Sequence, residues 1–192
     1  MDDRTTDLFL YASDDEINDM VDMCMEATQG AIRSGTDSLA PIISIMLVTP
    51  KMEKKSVLVA IPSFPEDVSK KREMIEAIGA KISHDMGIPV VVAMVVEAWR
   101  SLRTDIMPRE DPERQEIVAF IATSIDGRTA AKFFDIKRTP ENNIELGQLT
   151  CDVHAGDSDP TMKFDNNLAM SLFKGSVEYY EKGRGQQNGR QN

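Results

Sequence analysis

Hydrophobic and polar positions alternate along this chain with two different periods, which separate helices from strands. Apolar residues spaced three or four apart predict amphipathic helices, and short β-branched runs predict strands. Ser13 and Glu16 form the pattern of a capping box, and Gly35 and Gly87 are suited to end helices. The predicted helices cover residues 14–34 and 66–86, with a weaker third helix from Asp159 to about 182.

Five apolar runs predict strands, and Asp126-Gly127 predicts the tight turn of a hairpin between the last two. The predicted strands cover residues 42–49, 56–61, 90–99, 116–124 and 128–137. Residues 144–150 are a candidate for a further short strand. The element order αββαβββα predicts an α+β fold in which helices cover a five-stranded, mostly antiparallel sheet.

One domain is predicted over residues 1–182, followed by a disordered Gly/Gln/Asn-rich tail over 183–192. The order of elements is similar to that of roadblock/profilin-like sensor and adaptor domains, and in part to GAF-like domains. This is a similarity of topology, and topology does not determine function.

The charge of the chain restricts its partners. With 32 acidic and 22 basic residues the net charge is -10, which disfavours direct binding to the phosphate backbone of DNA or RNA. An acidic surface is still compatible with a basic protein partner, or with imitation of nucleic acid.

The compartment is predicted from what the chain lacks. The acidic start, Met1-Asp2-Asp3-Arg4, is unlike a signal peptide, and the longest apolar run, 88–96, is far below the roughly 20 residues that span a bilayer. Cys24 and Cys151 are expected to be reduced thiols. We therefore expect a cytoplasmic protein without membrane contact.

The most distinctive stretch contains the one tryptophan of the chain. Glu97-Ala98-Trp99 ends a predicted strand, and a charged loop bracketed by Pro108 and Pro112 continues to Glu116. The pattern E-A-W followed by P-x-x-D-P-x-R-Q-E resembles small uncharacterised prokaryotic and phage proteins, over about residues 40–125. The resemblance implies a relationship but no activity.

Five residues of this stretch form the candidate cluster: Glu97, Trp99, Asp111, Arg114 and Glu116. In one interpretation the three carboxylates converge, where they could bind a divalent cation or serve acid–base chemistry. In the other, Arg109 and Arg114 pair with the carboxylates and fix the loop as a salt-bridge network. The network is favoured, because no histidine, glycine-rich loop or ligand spacing accompanies the carboxylates.

No catalytic residue, metal ligand or cofactor is predicted elsewhere. Cys151 and His154 have the C-x-x-H spacing of a zinc half-site, but the other candidate ligands, Cys24 and His84, are placed on separate helices. The chain lacks the G-x-S-x-G, Walker and H-E-x-x-H motifs.

Methionine is abundant, with 12 residues, and its flexible side chain suits adaptable contact surfaces as well as core filling. Met23 and Met74 lie off the main apolar stripes, and Ile106 and Met107 interrupt the charged loop. These four residues are the candidate interaction surface.

The sequence therefore predicts a non-enzymatic interaction or assembly module, as a homodimer or with another protein partner. The alternative is a small metal-dependent hydrolase or nuclease-like enzyme that uses Glu97, Asp111 and Glu116. A weaker third hypothesis is an acidic mimic of nucleic acid that blocks a basic protein.

Overall fold

A six-stranded antiparallel sheet separates two helical layers in the computed structural model, which describes residues 11–61, 63–101, 110–156 and 167–188. The helices are α1 (Asp14–Arg33), α2 (Val68–Asp85) and α3 (Asn167–Asn188). The strands are β1 (Ile42–Val48), β2 (Lys54–Ala60), β3 (Ile88–Arg100), β4 (Gln115–Ser124), β5 (Thr129–Arg138) and β6 (Ile144–Val153). The strand order across the sheet is β2-β1-β3-β4-β5-β6.

The α+β class and the antiparallel sheet are confirmed, but the prediction of five strands is wrong. The sixth strand is β6, which pairs with β5 over most of its length. Apolar and polar residues do not alternate regularly along β6, because this strand lies at the edge of the sheet and exposes Glu145, Gln148 and Leu149. Helix α3 extends through Asn188, beyond the predicted start of the tail at Gly183.

One core lies between α1 and the middle of the sheet. Helix α1 begins with the predicted capping box, in which the Ser13 hydroxyl accepts from the Glu16 amide and the Glu16 carboxylate accepts from the Ser13 amide. Its buried side chains pack against alternate residues of β3, β4 and β5. This core includes Ile17, Met20, Val21, Cys24, Val91, Ala93, Val95, Val118, Phe120 and Ala122.

A second core lies on the opposite face, beneath α2 and α3. The remaining alternate residues of β1 and β3 point to this side, as expected for a strand that is buried on both faces. Strand β1 and the buried part of β3 therefore have almost no polar side chains. This core includes Ile43, Ile45, Leu47, Ile75, Ile82, Val92, Met94, Ala169, Leu172 and Phe173.

Two glycines allow α2 and α3 to approach closely. A Cβ on Gly79 would lie 2.1 Å from the Leu172 carbonyl oxygen, and a Cβ on Gly175 would lie 2.0 Å from the Glu76 carbonyl oxygen. Nearby, the buried Ser83 hydroxyl donates to the Ser176 hydroxyl at 2.6 Å. Any side chain at either glycine would force the two helices apart.

We predict that Gly175→Ala lowers the free energy of unfolding by about 1–3 kcal/mol, because overpacking outweighs a gain of about 1 kcal/mol in helix propensity. The matched control is Gly30→Ala on α1, where a Cβ would meet nothing within 4 Å. Gly30→Ala should raise stability by up to about 1 kcal/mol. Chemical denaturation measures both, and a Gly175→Ala protein as stable as wild type would contradict the close helix crossing.

Candidate functional site

The predicted cluster begins at the ends of β3 and β4. Trp99 lies directly opposite Glu116 in the register of the two strands, and Glu97 lies two residues earlier on β3. Since alternate residues share a face, these three side chains lie on the α1 side of the sheet. Trp99 is 48% exposed. The structure thus places three residues of the cluster, Glu97, Trp99 and Glu116, on one face of neighbouring strands.

A cation that sequence reasoning missed lies between the two glutamates. Arg138 on β5 donates to both carboxylate oxygens of Glu116, at 2.6 Å and 3.0 Å, and its Nη2 lies 3.9 Å from Oε2 of Glu97. Its hydrogen bond with Glu116 raises the pKa of Arg138 above its ordinary value, against the opposing effect of burial. The two carboxylates therefore face a permanent positive charge.

The same arginine and glutamates hold the connection between α1 and β1. Arg138 Nη1 donates to the Asp37 carbonyl oxygen, and Glu97 accepts from the Leu39 amide. The connection is thus tied to the sheet by groups from β3 and β5. This arrangement fixes chain geometry and leaves no shared space for a metal ion between Glu97 and Glu116.

Asp111 and Arg114 have other contacts. The Asp111 carboxylate is buried, with 3% exposure, and accepts from the Ser101 hydroxyl and, at 2.9 Å, from the Glu113 amide. The Arg114 guanidinium lies over the Trp99 ring, 4.5 Å from its centroid, in a cation–π contact. Both residues hold the start of β4 in place.

The zinc hypothesis gains no geometric support. Among the residues that the structure describes, no group of three or more His, Cys, Asp and Glu side chains could hold a metal ion. Burial raises the pKa of Cys24 to about 11, and burial and then Asp152 raise the pKa of Cys151. Raised pKa values disfavour the thiolate that binds zinc.

Ser83, His84 and Asp85 follow one another on α2 but do not form a catalytic triad. Ser83 is buried and bonded to Ser176, whereas His84 is exposed and its Nδ1 lies 2.6 Å from Asp85 Oδ1. Consecutive residues of a helix point about 100° apart, so the serine and the histidine face different surroundings. The hydrogen bond with His84, followed by that with Lys81, lowers the pKa of Asp85.

Two of the candidate interaction residues, Met23 and Met74, lie on different helices. Met23 is 39% exposed on α1, whereas Met74 on α2 is half-buried against the second core. The two helices cover opposite faces of the sheet, because their cores contain alternate residues of β3. Ile106 and Met107 lie outside the described residues.

An arginine that the sequence did not single out fastens the start of α1 to the β4–β5 turn. Arg128 pairs with Asp126 at 2.7 Å and with Asp14 at 2.5 Å, and it donates to the Ala12 carbonyl oxygen at 2.5 Å. Burial alone would raise the pKa of Asp126, but hydrogen bonds from Arg128 and Ser124 outweigh it and hold that pKa below its ordinary value.

The feature with the clearest binding potential is the open edge of β2. Two hydrogen bonds at its ends, from the Ile61 amide to Pro41 and from the Thr49 amide to Glu53, fix which main-chain groups point to β1. In an antiparallel pair these groups alternate between the partner strand and the outside. The main-chain groups of Lys54, Ser56, Leu58 and Ala60 therefore face outward.

Apolar side chains flank this edge on the α1 side. Leu58 is 57% exposed, the largest exposed fraction of a described leucine or methionine. Two side chains of α1 reach β2: Glu16 pairs with Lys54 at 2.6 Å, and Met20 Sδ lies 3.8 Å from the Ser56 hydroxyl.

A groove of about 240 Å³ flanks the edge on the α2 side. Val59 of β2 lines it together with Ile78, Ile82 and Met86, and the charged residues Lys81 and Asp85 complete the lining. Met86 is a largely exposed apolar side chain. The β2 edge thus combines outward main-chain donors and acceptors with apolar side chains on both faces.

Comparisons of the chain with protein-family models, with curated proteins and with solved structures find no match. The resemblance to prokaryotic and phage proteins, and the topological similarity to roadblock/profilin-like domains, therefore stay predictions. Within the described part of the chain, no helix is long and apolar enough to cross a membrane.

We predict that Mg²⁺, Mn²⁺ and Ca²⁺ leave the melting temperature unchanged, because Arg138 already bonds both carboxylate oxygens of Glu116 and lies 3.9 Å from Glu97. A site filled at about 100 times its Kd would add about 2.7 kcal/mol of stability, which a thermal melt detects easily. Glu116→Gln is the control, since it removes a carboxylate. A cation-dependent rise in wild type that Glu116→Gln abolishes would restore the metal hypothesis.

We predict that Asp126→Asn costs about 1 kcal/mol of stability at pH 7 and progressively less in acid. The pKa of Asp126 is lowered in the folded state, so its contribution is complete above the ordinary carboxyl pKa and is lost as pH falls through the folded pKa. Urea unfolding of both proteins from pH 7 to pH 2.5 measures the difference. An effect that is constant across this range would show that the Asp126 charge is unimportant.

Proposed function

We propose that this protein is a non-enzymatic interaction module of the cytoplasm that self-associates through the β2 edge. The observation that carries the proposal is an outer strand whose outward main-chain groups bond to none of the residues that the structure describes, with apolar side chains on both faces. Such an edge binds an added strand through main-chain hydrogen bonds, and the flanking side chains determine which strand fits.

The state of the main chain at this edge supports strand addition. Among the described residues, no hydrogen bond involves the outward amide or carbonyl groups of Ser56, Leu58 and Ala60. Proteins usually protect a sheet edge with charges, a bulge, a proline or a covering segment. Here Lys54 and Lys55 protect one end of β2, and the regular pairing with β1 continues past them.

The charged end of β2 is also held in a fixed position. Lys54 donates to the Glu16 carboxylate on α1 and to the Tyr11 carbonyl oxygen at 3.2 Å. Burial alone would raise the pKa of Glu16, but its hydrogen bonds with Lys54 and Ser13 outweigh that effect and lower the pKa. Lys54 is therefore directed toward α1, and Ser56 to Ala60 form the accessible part of the strand.

The polar clusters support a non-enzymatic function. Glu97, Glu116, Arg138 and Asp111 bond to neighbouring chain segments in ways that fix loops, and a hydrolase would need such groups directed at a substrate. The net charge of -10 is unfavourable for nucleic-acid binding. Cys24 and Cys151 are buried and form no disulfide bond, which agrees with a reducing compartment.

We predict that Leu58→Lys weakens self-association at least tenfold, because it places a charge at the centre of the contact surface. The melting temperature should change by no more than about 2 °C, since the side chain is largely exposed. Sedimentation-velocity ultracentrifugation over a concentration series measures the association constant.

The matched control is Leu149→Lys, which places the same charge on β6 at the opposite edge of the sheet. Leu149 is 41% exposed, comparable with Leu58. This variant should associate like wild type. A wild-type protein that stays monomeric at high concentration, or a dimer that only Leu149→Lys disrupts, would refute association through β2.

A further inference from the structure

We infer that β2 binds the β2 strand of a second copy, antiparallel, about a two-fold axis that passes through Leu58. This inference rests on the proposed function and adds the partner and the register. It joins two six-stranded sheets into one continuous sheet across the dimer.

The main chain of β2 is self-complementary in this register. Leu58 directs its amide and carbonyl outward, so two copies of Leu58 can exchange both hydrogen bonds across the axis. Ser56 of each copy then lies opposite Ala60 of the other, and these residues also direct their main-chain groups outward. An isologous contact of this kind closes on itself as a dimer and leaves no further β2 edge open.

Apolar side chains meet on both faces of the joined sheet. On the α1 side Leu58 lies against its own copy, so that the two most exposed leucines of the dimer cover each other. On the α2 side Val57 lies opposite Val59 of the second copy, at the mouth of the groove that Val59 lines with Ile78 and Met86. The contact thus buries apolar surface above and below the strand pair.

Charge favours this edge over the rest of the surface. The chain carries a net charge of -10, so two copies repel each other over most orientations. Strand β2, with the sequence KKSVLVA, has two lysines and no acidic residue. A two-fold axis at Leu58 places both lysines outside the paired segment 56–60, at the rim, so that the ion pairs of Lys54 with Glu16 and of Lys55 with Glu53 stay outside the contact.

Registers with the axis nearer the start of β2 are less favourable. An axis at Val57 would bring Lys55 opposite Val59, beside the apolar groove, and would bring Leu58 opposite Ser56. An axis at Ser56 would place Lys54 opposite Leu58. In each of these registers Leu58 or Val59 lies opposite a lysine or a serine. In the Leu58 register both residues lie opposite an apolar side chain.

Single cysteine substitutions in the full chain test the register. Only a residue on the axis meets its own copy: the Cα atoms of a hydrogen-bonded antiparallel pair are about 5.5 Å apart, within the range of about 4.4–6.8 Å that a disulfide spans. Leu58→Cys should therefore form a disulfide-linked dimer under mild oxidation, several-fold more than Val57→Cys and Ser56→Cys. Wild type controls for Cys24 and Cys151, which are buried.

The outcomes separate the inference from the proposed function. The two-fold axis at Leu58 is overturned if Val57→Cys or Ser56→Cys forms more disulfide-linked dimer than Leu58→Cys. If Leu58→Lys still dissociates the dimer in that case, the β2 edge remains the interface. A monomeric chain without cross-links would refute self-association itself.

A synthetic peptide of residues 52–62 tests the remaining alternative, an edge that accepts strands from other proteins. If the wild-type chain is monomeric but binds this peptide in fluorescence anisotropy, and Leu58→Lys abolishes the binding, the second copy is the wrong partner and strand addition is retained. If the chain dimerises as inferred, the peptide should instead compete with dimer formation.

Discussion

The requirement that main-chain amides and carbonyls find partners is the constraint on which this structure depends. The interior strands β1, β3, β4 and β5 satisfy it on both sides through antiparallel ladders. The sheet is open, however, and an open sheet necessarily ends in strands that are paired on one side only. At β2 the outward groups of Ser56, Leu58 and Ala60 bond to none of the described residues, and the strand contains no proline. The need of main-chain groups for partners is therefore the reason that we propose the β2 edge as the contact surface.

The two helical layers make the edge usable by holding the sheet rigid. Helix α1 buries one face, and the close crossing of α2 and α3 at Gly79 and Gly175 holds the other. An incoming strand is bound well only if the template strand is already ordered, because ordering the chain at the moment of binding costs free energy. The ion pair of Lys54 with Glu16 fixes the register of α1 along β2. The interaction surface is thus prepared by contacts that lie beside it.

The sequence predicted most of the fold because its local signals agree with its tertiary contacts. The capping box at Ser13 and the Asp126-Gly127 turn depend on neighbouring residues alone, and both are present. Strand β6 was underestimated because a strand paired on one side needs fewer apolar residues. Arg138 was missed since its partners Glu97 and Glu116 are remote in sequence. The sequence did not identify β2 as an edge strand for the same reason, because the outermost strand depends on the order of all six strands in the sheet.

The charged side chains around Trp99 make contacts that fix neighbouring segments of the chain. A metal ion or a substrate needs carboxylates that are close together and not neutralised by the protein, and Arg138 removes this condition by bonding both oxygens of Glu116. Glu97 in turn holds the Leu39 amide, so its position is determined by the chain that leads into β1. Since β1 is the strand that β2 pairs with, these charges also help to place the β2 edge.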